Sequence, residues 1–227
     1  LAASTGTGKS AMLQSLQRRA TVPTVFFSVE MSRTQLVDRL ISAAAHMDSR
    51  KLTRGDLDYE ERRKVNEAID RFEQSEMQVV DNSSLTTATI ESILRIARVR
   101  FGIRVVYVDY LGLLRDREGE SKYVQMSNLS HELARIAKAT GVCLVAASQV
   151  NRKADRKSGE PPHMEEMRDS GVLEEDAAVV LTIGRAEGSS EAKLFVRKNR
   201  HGLAGFPIPL TFDAVHTEFL ELSEVRR

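Results

Sequence analysis

Apolar residues along this chain occur either in short continuous runs or at the spacing of one helix face. The continuous runs predict buried β-strands at residues 24–29, 103–109, 142–147 and 177–183, and a shorter strand at 77–80. The periodic segments predict helices at residues 9–19, 57–75 and 121–140, one behind Ser32 and one that ends near Gly102. Strands that alternate with helices in this way are typical of a parallel sheet with crossover helices.

The pattern changes toward the C-terminus. Short apolar segments at 193–198, 208–212 and 219–222 predict a final set of short strands, which we expect to be antiparallel. Residues 152–163 and 184–190 follow neither pattern and are predicted to be irregular. The 227 residues, 41% of them hydrophobic, are enough for one domain with its own core, so we predict a single domain over residues 1–227.

Composition and charge exclude several classes of protein. The net charge of +1 is too small for a polycation that binds nucleic acid by bulk attraction, so such binding must come from local basic clusters. The single cysteine, Cys143, can form no intrachain disulfide. No run approaches about 18 apolar residues, and no signal peptide is visible. We therefore expect a soluble cytoplasmic protein that does not enter a membrane.

The start of the chain contains a candidate phosphate-binding loop at residues 3–10. Gly8-Lys9-Ser10 fits the Walker A pattern, in which bare backbone approaches a phosphate, an ammonium reaches its outer oxygens and a hydroxyl binds Mg²⁺. The helix that follows presents free N–H groups, which favour an anion. A turn that caps an ordinary helix is the alternative, but it would need no lysine. We predict that ATP is bound by Ser4, Thr5, Gly6, Thr7, Gly8, Lys9, Ser10 and Ala11.

Polar residues follow three of the predicted strands, whose ends converge on one crevice in an open α/β sheet. Asp109 is placed to hold Mg²⁺ together with Ser10, or alternatively to cap a helix. Glu30 is a candidate general base for hydrolysis, or alternatively a solvated glutamate. Gln149 is able to hydrogen-bond a γ-phosphate without adding charge, or to satisfy a loop backbone.

Several segments together resemble the ordered motifs of the DnaB-family replicative helicases, in their C-terminal RecA-like motor domain. The resemblance runs in register from Leu1 to about Phe219. Its segments are Phe26-Phe27-Ser28-Val29-Glu30-Met31-Ser32, Val108-Asp109-Tyr110-Leu111, Ala147-Ser148-Gln149-Val150-Asn151-Arg152, Arg168-Asp169-Ser170-Gly171-Val172-Leu173-Glu174-Glu175-Asp176-Ala177 and Lys198-Asn199-Arg200-His201-Gly202.

This resemblance implies a RecA-like P-loop ATPase core, in which helices flank a mostly parallel twisted sheet with antiparallel strands near the C-terminus. It implies a homohexameric ring that uses ATP and Mg²⁺ to move along single-stranded DNA and separate the duplex. By position in the motifs, Lys9 and Ser10 bind phosphate and Mg²⁺, and Asp109 is the Walker B acid. Glu30 is the catalytic carboxylate, and Gln149 is the γ-phosphate sensor.

Two basic residues near the C-terminus resemble a pair that reaches the neighbouring subunit's nucleotide. These are Lys198 and Arg200. The resemblance makes Arg200 an arginine finger that acts in trans, a charge worth about a thousandfold or more in rate. Taken without the resemblance, the two residues are also consistent with a basic pair in solvent at the end of a strand.

Contacts with DNA are expected from loops that face the channel of the ring. In the family, the loop that matches Arg168-Asp169-Ser170-Gly171 contacts the phosphodiester backbone. A second candidate contains Arg152 and Lys153, followed by Arg156 and Lys157, although a solvated mobile loop is the alternative. No aromatic stacking platform accompanies them, so we expect phosphate contacts without base readout.

Two other functions remain open from the sequence. Another RecA-type ATPase, such as a recombinase or ring ATPase, would share the nucleotide motifs, and a nucleotide-binding scaffold would not unwind DNA.

Only Leu1-Ala2-Ala3 precede the loop where an apolar strand is expected, so we expect this chain to be part of a longer protein. The family's N-terminal domain and linker, which assemble the ring and meet primase, are not in this sequence. Primase and a helicase loader are therefore expected partners through other regions.

Overall fold

A computed structural model describes residues 1–114, 121–150, 159–163 and 171–221. One of its sheets has four parallel strands in the order β3-β2-β4-β5. Its central strand β2 carries Val25, Phe26 and Phe27 with no exposed surface, because helices cover both faces of a parallel sheet. The strands are β2 (Thr24–Ser28), β3 (Met77–Asp81), β4 (Val105–Asp109) and β5 (Cys143–Ala146).

The other sheet has six strands in the order β10-β9-β8-β7-β1-β6. β1 is parallel to both of its neighbours, β6 and β7, and the pairs from β7 to β10 are antiparallel. The strands are β1 (Ala2–Ala3), β6 (Ser148–Gln149), β7 (Val179–Arg185), β8 (Glu191–Asn199), β9 (Phe206–Asp213) and β10 (Glu218–Glu221). The predicted antiparallel strands near the C-terminus are thus present.

Seven helices are found among the described residues, and residues 111–113 form a short 3₁₀ turn. Ser32 and Gln35 form the capping box that their spacing predicts, and Gly102 and Gly141 end two helices in the left-handed conformation. None of these helices is both long and apolar enough to cross a membrane. They are α1 (Lys9–Arg18), α2 (Arg33–Ala45), α3 (Ser49–Arg54), α4 (Tyr59–Gln74), α5 (Thr87–Phe101), α6 (Lys122–Thr140) and α7 (Gly171–Asp176).

The helix predicted at about 57–75 is present as α4, but the short helix α3 before it, with its own caps Asp48 and Gly55, was not predicted. Two other local expectations were wrong. Gly184 and Arg185, predicted to be irregular, extend β7 because Arg185 pairs with Ala192 on β8.

The exposure of Cys143 also differs from the prediction, because its thiol is exposed although it lies in a run predicted to be buried. Over the described residues, β5 pairs with β4 on one side only, so β5 forms one edge of its sheet. On the other side lies an apolar groove of 510 Å³, whose lining includes Leu133, Cys143 and Val180. The position of a strand in its sheet, which its own composition does not encode, therefore decides its exposure.

Helix α1 packs against the C-terminal hairpin. Phe219 on β10 is buried, and its backbone N–H donates to Ser15 Oγ at 2.9 Å. One residue earlier, Glu218 accepts a hydrogen bond from Arg18 Nη2 at 2.6 Å. These contacts hold the first helix of the chain against its last described strand, so the loop that precedes α1 is supported by residues about 200 positions away.

The buried hydrogen bond between Ser15 and Phe219 can be tested by Ser15→Ala. This change leaves the Phe219 N–H without its partner, and we expect a loss of about 1–3 kcal/mol in the free energy of unfolding, measured in urea. Ser92→Ala, on the exposed face of α5, is the control and is expected to change stability by less than about 0.5 kcal/mol. Equal losses in both variants would contradict the packing of α1 on β10.

Candidate nucleotide-binding site

The glycine-rich loop lies between the end of β1 and the start of α1. Gly8 is the N-cap of α1 with φ 109°, and Gly6 has φ 79°, both in the left-handed region that other residues enter only with strain. A Cβ on Gly8 would also lie 2.9 Å from the ring of Phe219. The loop therefore needs glycine at position 8 both for its backbone conformation and for its packing.

Arg185 holds this loop from the neighbouring strand β7. Its guanidinium donates to the carbonyl oxygens of Gly6 at 3.1 Å, Thr7 at 3.3 Å and Ser189 at 2.9 Å. It also lies over the Phe212 ring, 4.3 Å from the ring centroid, and burial lowers the pKa of the guanidinium. Because Arg185 binds two loop carbonyl groups, it fixes the conformation of the loop.

Arg185 has no role predicted from the sequence, and it lies in a segment predicted to be irregular. The only signal was an arginine two residues after an apolar run. Its significance depends on β7 lying beside β1, which pairs Ala3 with Ile183 two residues before Arg185.

Asp109 ends β4 next to the start of α1. Its side chain is only 2% exposed, it accepts a hydrogen bond from Ser10, and its Oδ1 atom is buried without a hydrogen-bond partner. Burial raises the pKa of Asp109, and the charge of Glu30 raises it further, while Ser10 and Lys9 oppose the change. A buried carboxylate oxygen without a partner beside a hydroxyl is the type of oxygen set that Mg²⁺ prefers. Ser10 and Asp109 therefore fit the metal that the Walker pattern implies.

Glu30 and Lys9 face the same cleft from different elements. Glu30 is exposed directly after Val29, whose N–H donates to the Asp109 carbonyl at 2.9 Å. The pKa of Tyr110 is raised first by burial and then by the charges of Glu30 and Asp109, so both carboxylates act on this phenol. Lys9 Nζ lies 3.4 Å from the Ala3 carbonyl oxygen and 5.9 Å from the centroid of the Tyr110 ring. The cleft thus contains one buried and one exposed carboxylate near an ammonium group.

Gln149 reaches the loop from the other neighbour of β1. It pairs with Ala3 across β1 and β6, and its Nε2 donates to Thr5 Oγ1 at 2.5 Å. The amide is exposed, as contact with a bound nucleotide requires. Gln149 therefore joins the end of β6 directly to the glycine loop.

Lys198 and Arg200 lie at the opposite end of the sheet. The loop follows Ala3, which pairs with Ile183, whereas Asn199 pairs with Val179 at the other end of β7. Val179 and Ile183 are four residues apart on β7, which corresponds to about 13 Å along the strand.

Both of these basic side chains bind the C-terminal end of α7. Lys198 Nζ donates to the Glu174 carbonyl at 2.6 Å, and Arg200 Nη2 donates to the Glu175 carbonyl at 3.1 Å. The structure therefore does not bring these two residues into the cleft of their own chain.

The residues predicted to contact DNA are only partly described. Gly171 is the first residue of α7. The others, Arg152, Lys153, Arg156, Lys157, Arg168, Asp169 and Ser170, lie outside the described residues.

The glycine loop, the buried strand-end carboxylate beside it and the sheet that carries both define a P-loop nucleotide-binding domain with a RecA-like fold. A sequence profile of the DnaB-like helicase C terminal domain matches residues 1–221. The chain belongs to this family.

Similar proteins agree with this assignment. A probable plasmid replicative DNA helicase of Chlamydia trachomatis is 34% identical over 200 residues, which are 88% of this chain and 44% of the relative. The replicative DNA helicase DnaB of Treponema pallidum is 31% identical over 210 residues, 92% of this chain and 47% of the relative. The chain therefore spans less than half the length of these relatives.

A solved structure of a DnaB-like replicative helicase, described with its interactions with primase, superposes with a TM-score of 0.87 at 26% identity. The match covers 97% of this chain and 56% of the solved one. The predicted fold class, a RecA-like parallel sheet with antiparallel strands near the C-terminus, is thus confirmed.

The requirement for glycine at position 8 predicts a difference between two loop variants. Gly6→Ala and Gly8→Ala each place a side chain in the left-handed region, which is unfavourable by about 1–2 kcal/mol. Only the Gly8→Ala methyl group meets the Phe219 ring, so we expect a further loss of about 1–3 kcal/mol in that variant. Urea unfolding measures both losses, and Phe219→Leu combined with Gly8→Ala is expected to recover part of the second one. Equal stability of the two single variants would rule out the collision.

Proposed function

We propose that this domain is the ATP-driven motor of a hexameric replicative DNA helicase that acts in the cytoplasm. It hydrolyses ATP between subunits, moves along single-stranded DNA and separates the duplex, and it meets primase and a loader through other parts of the protein. The main support is the position of Lys198 and Arg200, which lie at the opposite end of β7 from their own glycine loop. A basic pair so far from the nucleotide of its own chain is free to serve that of the next subunit in a ring.

The residues of one subunit bind and orient the nucleotide. Lys9 and the N–H groups at the start of α1 hold the phosphates. Ser10 and Asp109 hold Mg²⁺, which neutralises phosphate charge when it is bound. The buried oxygen of Asp109 that lacks a hydrogen-bond partner supports this role.

Hydrolysis needs a second carboxylate with a different environment. Glu30 is exposed beside the buried Asp109, so it is accessible to the attacking water and serves as the general base that orients and deprotonates it. Gln149 contacts Thr5 of the loop and adds no charge, which suits a sensor of the γ-phosphate. Because Gln149 is the last residue of β6, loss of that phosphate can shift the position of this strand.

The neighbouring subunit completes the site. Lys198 and Arg200 bind uncharged carbonyl groups of α7, and a phosphate is a stronger partner for a cation than a carbonyl group. In a ring, these two side chains exchange their carbonyl partners for the γ-phosphate of the adjoining nucleotide. Hydrolysis then depends on contact between subunits, which couples it to movement of the ring.

DNA is contacted by residues 168–171 and by Arg152 and Lys153. Residues 168–171 match a motif that contacts DNA in the family, and Arg152 and Lys153 belong to a local basic cluster. Contacts with phosphates without base readout suit a motor that must pass every sequence.

The family match favours this helicase function over that of a recombinase or a non-catalytic scaffold.

Two variants separate nucleotide binding from hydrolysis. Lys9→Ala is expected to weaken ATP binding by at least about tenfold, because the phosphates lose their ammonium partner. Glu30→Gln is expected to keep ATP binding and to lower kcat by about 10²–10⁴-fold, because the amide cannot accept the proton of water. ATP hydrolysis is measured with and without single-stranded DNA, and Glu73→Gln, on the exposed face of α4, is the control. Full activity of Glu30→Gln would exclude Glu30 as the base.

Mixing two inactive variants tests the contribution from the neighbour. Arg200→Ala is expected to bind ATP normally and to lose about a thousandfold or more in turnover. When Arg200→Ala and Lys9→Ala subunits are mixed in equal amounts, about a quarter of the head-to-tail interfaces combine an intact Lys9 with an intact Arg200. ATPase activity should therefore reappear in the mixture. As a control, a mixture of Lys64→Ala and Lys9→Ala subunits shows how much activity comes from interfaces in which Arg200 is intact. If the mixture of Arg200→Ala and Lys9→Ala subunits stays inactive, Arg200 does not act in the neighbour's site.

A further inference from the structure

Two histidines and a buried glutamate meet away from the nucleotide site, where α2 ends beside β10. One ligand atom from each of His46, His216 and Glu218 lies within 4.8 Å of the other two. His46 Nδ1 is 4.0 Å from Glu218 Oε1, and the two imidazole rings meet edge to face with 5.5 Å between their centroids. Two imidazoles and a carboxylate are a common set of ligands for transition metals.

Glu218 supplies an independent indication of a ligand. Its side chain is almost completely buried, at 1% exposure for the residue. Its Oε2 accepts a hydrogen bond from Arg18, but Oε1, the atom nearest His46, is buried without a hydrogen-bond partner. A buried carboxylate oxygen that lacks a partner is unfavourable, and a cation at this position would satisfy it.

Asp213 orients the second histidine. Its Oδ2 lies 2.6 Å from His216 Nδ1, and its Oδ1 accepts the backbone N–H groups of Val215 at 2.9 Å and His216 at 3.1 Å. With Nδ1 engaged by a fixed carboxylate, the nitrogen of His216 that can bind a metal is Nε2. Histidines that bind metals are usually held in this way by a carboxylate or carbonyl group on the other nitrogen.

His46 is the adjustable member of the group. It is the C-cap of α2 with φ 51°, and its side chain is 72% exposed. Metal–ligand bonds of about 2.0–2.2 Å place tetrahedral ligands about 3.4 Å apart, so the present atoms must close by about 1 Å. An exposed side chain at the end of a helix can make this movement without disturbing the core.

We propose that His46, His216 and Glu218 bind a divalent transition metal, with Zn²⁺ the best fit and water in the fourth position. Mg²⁺ prefers oxygen ligands only and therefore does not suit two imidazoles. Arg18 already balances the charge of Glu218, so the site binds zinc more weakly than a site made of thiolates does.

The position of this site gives the metal a structural role. His216 precedes β10 and Glu218 is its first residue, and the next residue, Phe219, packs beside Gly8 of the nucleotide loop. A metal that joins β10 to the end of α2 therefore stabilises the strand that supports this loop. The effect is on stability and does not depend on hydrolysis or on assembly of a ring.

The test is direct metal binding to protein stripped with a chelator, without nucleotide or Mg²⁺. Isothermal titration with ZnCl₂ is expected to show saturable binding of one equivalent, and CoCl₂ is expected to give the visible spectrum of a four-coordinate site. His46→Asn removes one ligand and keeps a residue that tolerates the left-handed conformation, so we expect at least about tenfold weaker binding. His131→Asn is the matched control, because His131 is also an exposed histidine beside a carboxylate, 2.9 Å from Asp176.

Two further measurements distinguish the loss of a metal ligand from a general disturbance of folding. Asp213→Asn keeps all three ligands and is expected to weaken zinc binding by about 10–100-fold through the orientation of His216. Zinc at a hundredfold excess over Kd is expected to raise Tm by roughly 5–10 °C in the unaltered protein, whereas the same concentration of Mg²⁺ leaves Tm unchanged. Absence of saturable zinc binding, or equal losses in His46→Asn and His131→Asn, would overturn the proposal. Neither outcome bears on the helicase function.

Discussion

The nucleotide site depends on the support of its glycine loop by distant strands. Glycines supply the left-handed backbone that the loop needs, but they have no side chains with which to anchor it. The anchors come from β7, β6 and β10, through Arg185 on two loop carbonyl groups, Gln149 on Thr5 and Phe219 beside Gly8. A loop held from three strands keeps its N–H groups in place before a ligand arrives, and such preorganisation favours tight binding.

Two carboxylates at the ends of neighbouring strands differ because their environments differ. β2 and β4 are adjacent and parallel, so Glu30 and Asp109 reach the same edge of the sheet. Asp109 is buried with one oxygen lacking a partner, whereas Glu30 stands in solvent. The proposed division of labour, in which one carboxylate holds the metal and the other activates water, follows from this contrast in burial.

The antiparallel direction of β8 separates the two halves of the proposed catalytic site. Because β8 runs against β7, its last residues lie at the far end from the loop, and Lys198 and Arg200 lie there with them. A domain with a nucleotide cradle at one end of its sheet and a basic pair at the other is suited to head-to-tail assembly, in which each copy completes the next. Under the proposed function, a single copy is expected to hydrolyse ATP slowly, since Lys198 and Arg200 lie at the far end of the sheet from its own loop.

Local signals in the sequence determined most elements and the candidate nucleotide residues. Some features depend on interactions among residues close in the chain, so their sequence patterns predict them without a structure. Examples are the capping box at Ser32, the helix end at Gly141 and the loop at Gly8-Lys9-Ser10. Only the tertiary structure decided that Cys143 lies at a sheet edge, that Arg185 holds the loop, and that His46 meets residues about 170 positions later. Those features arise from the order and register of strands far apart in sequence, and no short pattern encodes which distant segments become neighbours.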